Sequence, residues 1–185
     1  THIHWDDEAF DEDRDEMIAG LPEAGIACVN AAADLKSSET AAALAARWPH
    51  VWAMAGVHPE GAADMDDAGY ARLERLLAQP RVVALGEIGL DRHWPEPSAQ
   101  VQRDCFIRQL HMAADHGLPI AIHSREAAQD TLDIVRAEGS GLSGVMHCFS
   151  YGTDMAREWL DMGFYLGIGG VLTFKNGRKL KEVAA

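Results

Sequence analysis

Short apolar runs, rich in β-branched residues, alternate with longer helical patterns along this 185-residue chain. The runs start 25, 31, 37, 25 and 20 residues apart. They are continuously apolar rather than alternating, as expected of parallel strands with both faces buried. Repeated strand–helix units predict a parallel sheet with right-handed crossovers. The predicted strands cover residues 26–30, 51–57, 82–85, 119–122, 144–146 and 164–168. The predicted helices cover 11–24, 38–48, 68–78, 98–116, 126–138 and 153–162, with a last one starting near 177.

Composition places the chain among ordinary globular proteins and predicts one domain over residues 1–185, since 48% of its residues are hydrophobic. No apolar run can span a bilayer, and no basic segment followed by an apolar stretch marks a secretory signal. Three widely spaced cysteines without a C-x-x-C motif favour a reduced, cytoplasmic protein. The net charge of −13 disfavours a broad basic surface for duplex nucleic acid, but leaves room for a local, metal-charged pocket. Nothing in the sequence indicates an obligate protein partner.

Metal-ligating or proton-transferring residues follow the predicted strands. His2 and His4 open the chain, His58 ends the second complete strand, and Glu87 follows the third. His123 and His147 end the fourth and fifth. Because the carboxyl ends of the strands converge at one mouth of a parallel barrel, these side chains are expected to meet in space.

Each of these signals has an ordinary alternative when taken alone. A terminal His-x-His places two imidazoles on one face of an extended segment, but it can also be a surface accident. Histidines such as His123 and His147 are often satisfied core residues. Glu87 is harder to explain away, because a carboxylate after a buried apolar run needs a cation or strong hydrogen-bond donors. Four histidines and one glutamate at converging strand ends therefore predict a metal site.

Imidazole and carboxylate ligands favour zinc, manganese, iron or nickel over calcium. Glu87 can bridge two ions, with His2 and His4 on one and His123 and His147 on the other. Paired ions about 3.5–4 Å apart can activate a water for hydrolysis. His58 is then expected to support the ligands or act on the leaving group, not to bind metal.

Two cations and two glutamines complete the set of candidates. Arg125 and Lys175 follow predicted strands, where they could bind phosphate oxygens, although they could equally be ordinary surface cations. Gln102 and Gln109 fall on the apolar face of the longest predicted helix. They need hydrogen-bond partners there, and a boundary position or a bond to neighbouring backbone is the simplest account.

Together these motifs resemble the TatD-related metal-dependent deoxyribonucleases, within the amidohydrolase-like barrel group. The resemblance runs in order along essentially the whole chain. It is carried by Thr1-His2-Ile3-His4, Gly56-Val57-His58-Pro59, Gly86-Glu87-Ile88-Gly89-Leu90-Asp91, Gln102…Phe106…Gln109-Leu110, Leu118 through Arg125, His147-Cys148-Phe149-Ser150 and Gly169 through Asn176.

The resemblance implies a (β/α)8 TIM-type barrel that hydrolyses DNA phosphodiesters with two divalent metal ions (Zn, Mn, Mg or Ni). By motif position, His2 and His4 would bind one ion, Glu87 would bridge, and His123 and His147 would bind the second. Glu87 and His58 would be catalytic, and His58, Arg125 and Lys175 would contact the substrate. In three places the chain departs from the family. The Glu-Thr-Asp motif of the last strand is absent, the Asp that usually precedes Thr1 is absent, and Tyr151 replaces a usual glycine.

Two other functions remain open at this level. The same water-activating centre could hydrolyse another ester or an amide, such as an aminoacyl ester or a small phosphoester. A catalytically impaired barrel with a binding role is the contrasting possibility, and the missing acidic residue supports it. The predicted strands fill seven of the eight barrel positions, whereas a complete barrel typically needs about 250 residues. We therefore expect this sequence to be part of a longer protein. The start of strand one and the whole of strand eight would lie outside it.

Overall fold

The computed structural model describes residues 2–185, so Thr1 of the first motif lies outside the described residues. Seven strands and seven helices alternate along the chain. The strands are β1 His2–Ile3, β2 Cys28–Asn30, β3 Val51–Ala55, β4 Val82–Asp91, β5 Ile120–Arg125, β6 Gly144–Met146 and β7 Tyr165–Leu166. The helices are α1 Arg14–Gly20, α2 Leu35–Arg47, α3 Asp67–Leu77, α4 Ala99–His116, α5 Ala128–Glu138, α6 Thr153–Asp161 and α7 Arg178–Ala184.

All seven strands are parallel and follow one another in sequence order, from β1 to β7, in a single sheet. Side chains from every strand, among them His2, Met54, Ala121 and Tyr165, line one cavity, so the sheet curls around a common interior. The predicted parallel α/β barrel architecture is confirmed, with seven strand positions present in residues 2–185. No helix in this described range is long and apolar enough to cross a membrane.

The two faces of the sheet differ in packing. The outer face carries larger apolar residues such as Leu85 and Ile120, which join Leu73, Phe106 and Leu132 of the helices in the main core. Burying side chains of this size stabilises the fold by roughly 1.5–3 kcal/mol each. The inner face carries smaller or unbranched residues, including Ala31, Met54 and Ala121. The helices are therefore held against one side of the sheet, and the other side lines the cavity.

The sequence-based boundaries of two strands are wrong in the same direction. β4 was expected to end at residue 85 and β5 at residue 122, but the strands end at Asp91 and Arg125. The reason is tertiary: Gly89 pairs with His123 and Asp91 with Arg125, so the backbone ladder continues beyond the apolar run. Glu87 and His123 consequently lie within strands. Pairing with Gly89 restrains the backbone of His123, and the N–H of Glu87 donates to the carbonyl of Ala32 at 3.0 Å.

Gly89 shows how tightly β4 and β5 approach at this point. Its φ is +144°, a region that L-residues rarely adopt. A Cβ built on Gly89 would lie 1.9 Å from the carbonyl oxygen of His123. Only glycine fits here without moving the strand that carries His123.

Candidate metal centre

The carboxyl edge of the sheet gathers the histidines and the glutamate that the sequence singled out. His2 lies in β1, with His4 just beyond it, and His147 directly follows β6. The ring of His2 stacks on the ring of His147 with centroids 4.2 Å apart, although the residues are 145 positions apart in sequence. Curling of the sheet thus brings the first strand to the sixth.

A single carboxylate oxygen, Glu87 Oε1, lies at the middle of this group. It is 2.8 Å from Nε2 of His2, and 3.6 Å from Nε2 of both His4 and His147. The Glu87 side chain is only 8% exposed. Three imidazole nitrogens therefore surround one buried anionic oxygen.

The protonation of His4 determines what this arrangement can bind. Nδ1 of His4 lies 3.1 Å from the carbonyl oxygen of Ala31, which can only accept a hydrogen bond, so Nδ1 carries the proton. The lone pair of neutral His4 is then on Nε2, which faces Nε2 of His2 at 3.1 Å and the Glu87 carboxylate. A backbone carbonyl that fixes the imidazole in this way is typical of metal-ligating histidines.

The lone pair on Nε2 of His4 and those of the Glu87 carboxylate repel one another unless a positive charge lies between them. Within residues 2–185, Glu87 Oε1 is a buried oxygen without a hydrogen bond of acceptable geometry. Because the His2, His4 and Glu87 ligand atoms all lie within 4.8 Å of one another, they suit a shared cation. The residues present therefore fit a divalent metal ion.

The pKa shifts agree with mutual stabilisation of opposite charges. Burial by itself would raise the pKa of Glu87, but the nearby ring nitrogens of His2 and His4 outweigh it and hold that pKa well below its usual range. The Glu87 carboxylate also raises the pKa of His4, against the effect of burial. For His147, burial dominates and lowers the pKa despite the nearby carboxylate.

Glu87 also belongs to a second group, with His58 and His123, whose ligand atoms again lie within 4.8 Å of one another. Nε2 of His123 is 3.0 Å from Oδ2 of Asp91, a carboxylate oxygen that accepts. Nε2 of His123 therefore carries the proton, and its Nδ1 is free to act as a ligand. The sequence had paired His123 with His147, whereas this geometric group contains His58 instead.

His58 differs from the other histidines in how its ring nitrogens are used. Its Nδ1 accepts a hydrogen bond from the backbone N–H of Glu60 at 3.3 Å. The proton of the neutral ring is then on Nε2, which can donate but has no lone pair for a metal. Burial, with a contribution from His123, lowers the pKa of His58 to about 4. His58 is thus a neutral hydrogen-bond donor at neutral pH.

Asp91 is a site residue that sequence reasoning missed. It is 2% exposed, and its two oxygens accept from the backbone N–H of His93 and from His123. Burial would raise its pKa, but these bonds lower it. The available signal was its position four residues after Glu87, which places it on the same face of an extended strand.

The two glutamines of α4 bond to backbone near the site. Gln109 accepts from Val57 N–H at 2.8 Å and donates to Val57 C=O at 3.0 Å. Gln102 accepts from Asp91 N–H at 3.0 Å. Polar residues on the buried face of α4 thus hold the segments that lead to His58 and beyond Asp91, as the simplest account of them predicted.

The two predicted phosphate-binding cations are both solvent-exposed. Arg125 is the last residue of β5, and Lys175 follows the 3₁₀ turn Gly170–Thr173. Neither forms a salt bridge within the described part of the chain. Arg125 therefore lies within β5 and Lys175 does not directly follow a strand, but both charges are exposed and available to an anionic ligand.

Two loops around this edge are fastened to each other. Tyr151 donates its hydroxyl to the carbonyl of Ser124 at 2.9 Å. The loops also contain two non-glycine residues with positive φ, Glu126 at 54° and Cys148 at 45°. A non-glycine residue with positive φ has a strained backbone, which the surrounding structure must hold in place. Such residues often occur beside functional sites.

Comparison with known proteins identifies relatives over the whole chain. The sequence model of a family described as TatD related DNase matches residues 1–185. The Bacillus subtilis protein named uncharacterized metal-dependent hydrolase YabD is 37% identical over 185 residues, covering 99% of this chain and 72% of its own length. The Cronobacter turicensis protein named 3'-5' ssDNA/RNA exonuclease TatD is 41% identical over 179 residues, covering 94% of this chain and 67% of its own.

Solved structures agree with this. The crystal structure of the TatD homologue YJJV from Escherichia coli superposes with a TM-score of 0.91 at 27% identity, covering 100% of this chain and 73% of that one. The chain therefore has the fold of these longer relatives over the part that it spans.

Proposed function

The chain belongs to the TatD-related DNase family of metal-dependent hydrolases, and from this premise we propose that it cleaves phosphodiester bonds of DNA, releasing nucleotides from a strand end. The observation that carries the proposal is the enclosure of Glu87 Oε1 by His2, His4 and His147. Three imidazoles around one carboxylate oxygen form a set of ligands that suits a divalent cation. Exonuclease activity on single-stranded nucleic acid, stated in the name of the Cronobacter relative, supports the choice of substrate.

We assign His2, His4 and Glu87 to one divalent ion, and Glu87, His123 and His147 to a second. Such ions supply a water activated at neutral pH and a positive charge opposite the phosphate oxygens. Glu87 is the residue common to both sets. Its buried carboxylate is held ionised by its histidine neighbours, so it is ready to bind cations without first losing a proton.

His58 is the proposed hydrogen-bond donor to the leaving oxygen. Its Nδ1 is occupied by the Glu60 N–H, so the Nε2–H is the group that can reach a substrate. Its ring lies edge-on to His123, with centroids 4.2 Å apart. Gln109 orients the preceding residue through two backbone hydrogen bonds, which keeps the imidazole at this place. A positioned hydrogen-bond donor directed at an oxygen that gains negative charge contributes roughly 10²–10³-fold to kcat.

Arg125 and Lys175 are proposed to bind non-reacting phosphate oxygens. Both are exposed, Arg125 at the end of β5 and Lys175 shortly after the 3₁₀ turn Gly170–Thr173. Guanidinium groups form paired hydrogen bonds with phosphate, and an ammonium contributes a point charge. In a chain of net charge −13, such local cations and bound metal would offset the repulsion of a polyanion.

The test is cleavage of a 5′-labelled single-stranded oligonucleotide by the protein with manganese or magnesium. Stepwise shortening that requires metal and is lost in Glu87→Gln supports the proposal. His58→Ala should retain metal binding and lose about 100- to 1000-fold in kcat, because the hydrogen bond to the leaving oxygen is gone. Cleavage that persists in EDTA or in Glu87→Gln would contradict it.

The acidic composition favours one alternative substrate class, a small ester or phosphoester that carries less charge than a nucleic-acid strand. The same centre would serve it, because the fold does not determine the substrate. Rates on oligonucleotides and on small phosphoesters, measured side by side, separate the two. A protein that binds no metal at neutral pH would instead support a non-catalytic binding role.

A further inference from the structure

Trp94 is an exposed indole in the segment 92–97, which joins β4 to α4 at the edge of the sheet that carries the candidate metal centre. Its exposed fraction is 53%, whereas Trp5 and Trp159 are fully buried. Exposure by itself signifies little, since Leu160 on α6 is exposed to the same 53%. What distinguishes Trp94 is its attachment to the site.

Asp91 connects the segment to the candidate ligands. One of its oxygens accepts from the backbone N–H of His93 at 2.9 Å, and the other bonds His123 at 3.0 Å. The ring of His93 packs edge-on against the ring of Trp94, with centroids 4.7 Å apart. Nδ1 of His93 also lies 2.9 Å from Oε1 of Glu126, which follows β5. The indole is therefore supported by groups fastened to both β4 and β5.

The distance from Trp94 to the site is limited by chain length. Trp94 lies three positions after Asp91 in the sequence, and an extended chain spans at most about 11 Å over three positions. This maximum span of about 11 Å corresponds to about three nucleotides, at roughly 3.4 Å per nucleotide along a strand. A strand whose phosphate lies at the metal centre would thus bring a nearby base within reach of the indole.

The backbone around Trp94 is restrained before any ligand binds. Pro95 follows it, and a residue before proline is restricted to extended conformations. Gln102 secures both ends of the segment, since its Nε2 donates to Pro97 C=O at 2.9 Å and its Oε1 accepts from Arg92 at 3.0 Å. A rigid aromatic surface loses little entropy on binding.

The charges beside Trp94 indicate a neutral partner group. Glu96 and Glu126 are exposed near the indole, and Arg92 is directed toward Gln102 and Asp130. Carboxylates at this place disfavour a phosphate. A nucleobase has no charge and a flat π-face, and base–aromatic stacking tolerates any sequence.

We propose that Trp94 is the stacking platform for a nucleobase of a single-stranded substrate, a few nucleotides from the bond that is cut. The inference rests on the proposed nuclease function and extends it to recognition of unpaired bases. It assigns Trp94 to substrate binding and not to the chemical step.

The experiment measures binding and cleavage separately in the metal-loaded protein. Binding is followed by fluorescence anisotropy of a labelled phosphorothioate oligothymidylate, alongside an abasic oligonucleotide of the same length. Trp94→Ala should weaken binding of the base-containing strand by about 5- to 150-fold and leave abasic binding unchanged. Trp94→Phe should retain most of the affinity. Leu160→Ala removes an equally exposed apolar side chain from an outer helix and should behave as wild type.

The outcomes distinguish this inference from the proposed function. Equal binding by wild type and Trp94→Ala, or an equal loss for the abasic strand, overturns the stacking role even if DNA is cleaved. Base-dependent binding through Trp94 without any cleavage retains the stacking role and rejects the nuclease. Matching thermal unfolding of the variants excludes misfolding as the cause.

Discussion

Gln109 directs both polar ends of its side chain at the backbone of Val57, accepting from its N–H at 2.8 Å and donating to its C=O at 3.0 Å. Both residues are buried, Gln109 at 1% exposure and Val57 at 2%. The amide thus completes hydrogen bonds beyond the end of β3, in place of a neighbouring strand. His58 follows directly, so a residue 51 positions later in sequence controls where its imidazole lies.

Replacing Gln109 with leucine should therefore destabilise the protein. The buried N–H and C=O of Val57 would each lose a partner, at roughly 1–3 kcal/mol per unsatisfied group. Urea unfolding monitored by circular dichroism measures the loss. Gln100→Leu on the exposed face of the same helix, where Gln100 bonds only Asp104, is the control and should change stability little. A Gln109→Leu protein as stable as this control would show that the backbone bonds contribute nothing.

Divalent metal should stabilise the fold through Glu87. Ligand that binds only the native state at 100 times its Kd adds about 2.7 kcal/mol, so manganese or zinc should raise Tm. In Glu87→Gln the charge that attracts the ions is gone, and most of this increase should disappear. Glu74→Gln, which affects only the exposed pair with His116, should keep it. Identical Tm increases in the two variants would place the metal elsewhere.

Asp91 should contribute to metal affinity without touching the metal. Its carboxylate fixes the proton of His123 on Nε2 and so leaves Nδ1 available. Loss of such a supporting carboxylate typically weakens metal binding about 10- to 100-fold. Isothermal titration of metal into Asp91→Ala should show this weakening, while Asp130→Ala, an exposed acid on α5, should bind normally. Unchanged affinity in Asp91→Ala would mean that His123 needs no orienting partner.

Asp34 should make a pH-dependent contribution to stability. It caps α2, where its Oδ1 accepts from the Ser37 N–H at 2.6 Å. Burial would raise its pKa, but the bonds from Ser37 lower it below the ordinary 3.8. The lowered pKa means that the carboxylate stabilises the native state above pH 3.8 and loses this effect as pH falls through the lower native value.

Asp34→Ala should accordingly cost about 1 kcal/mol at pH 7. The difference from wild type in chemical denaturation should shrink as the pH falls below 3.8 toward the native pKa. Asp34→Asn keeps a capping oxygen and removes the charge, so it should lose little at pH 7 and show less of this acid dependence. A cost for Asp34→Ala that stays constant down to pH 2 would contradict the assignment to the ionised cap.

Local patterns were sufficient for the elements whose ends coincide with a change in residue type. β6 lies at residues 144–146 as predicted, and α4 ends at His116, directly before Gly117. The structure departs from expectation where backbone pairing extends an element beyond its apolar run. β4 continues through Glu87 to Asp91 because its backbone pairs with β5. No residue type within β4 predicts this extension.

Periodicity and the convergence of parallel strands are enough to predict the order of the strands and the edge at which the histidines and Glu87 gather. The family is indicated separately, by the resemblance of the ordered motifs. Three further features depend on contacts between distant segments: Asp91 orients His123, Gln109 holds the residue before His58, and Nε2 is the nitrogen of His2 that faces Glu87. The reason is physical: hydrogen-bond partners tens of residues apart meet only once the sheet has curled. A proton's place on an imidazole is set by that partner, not by the neighbouring sequence.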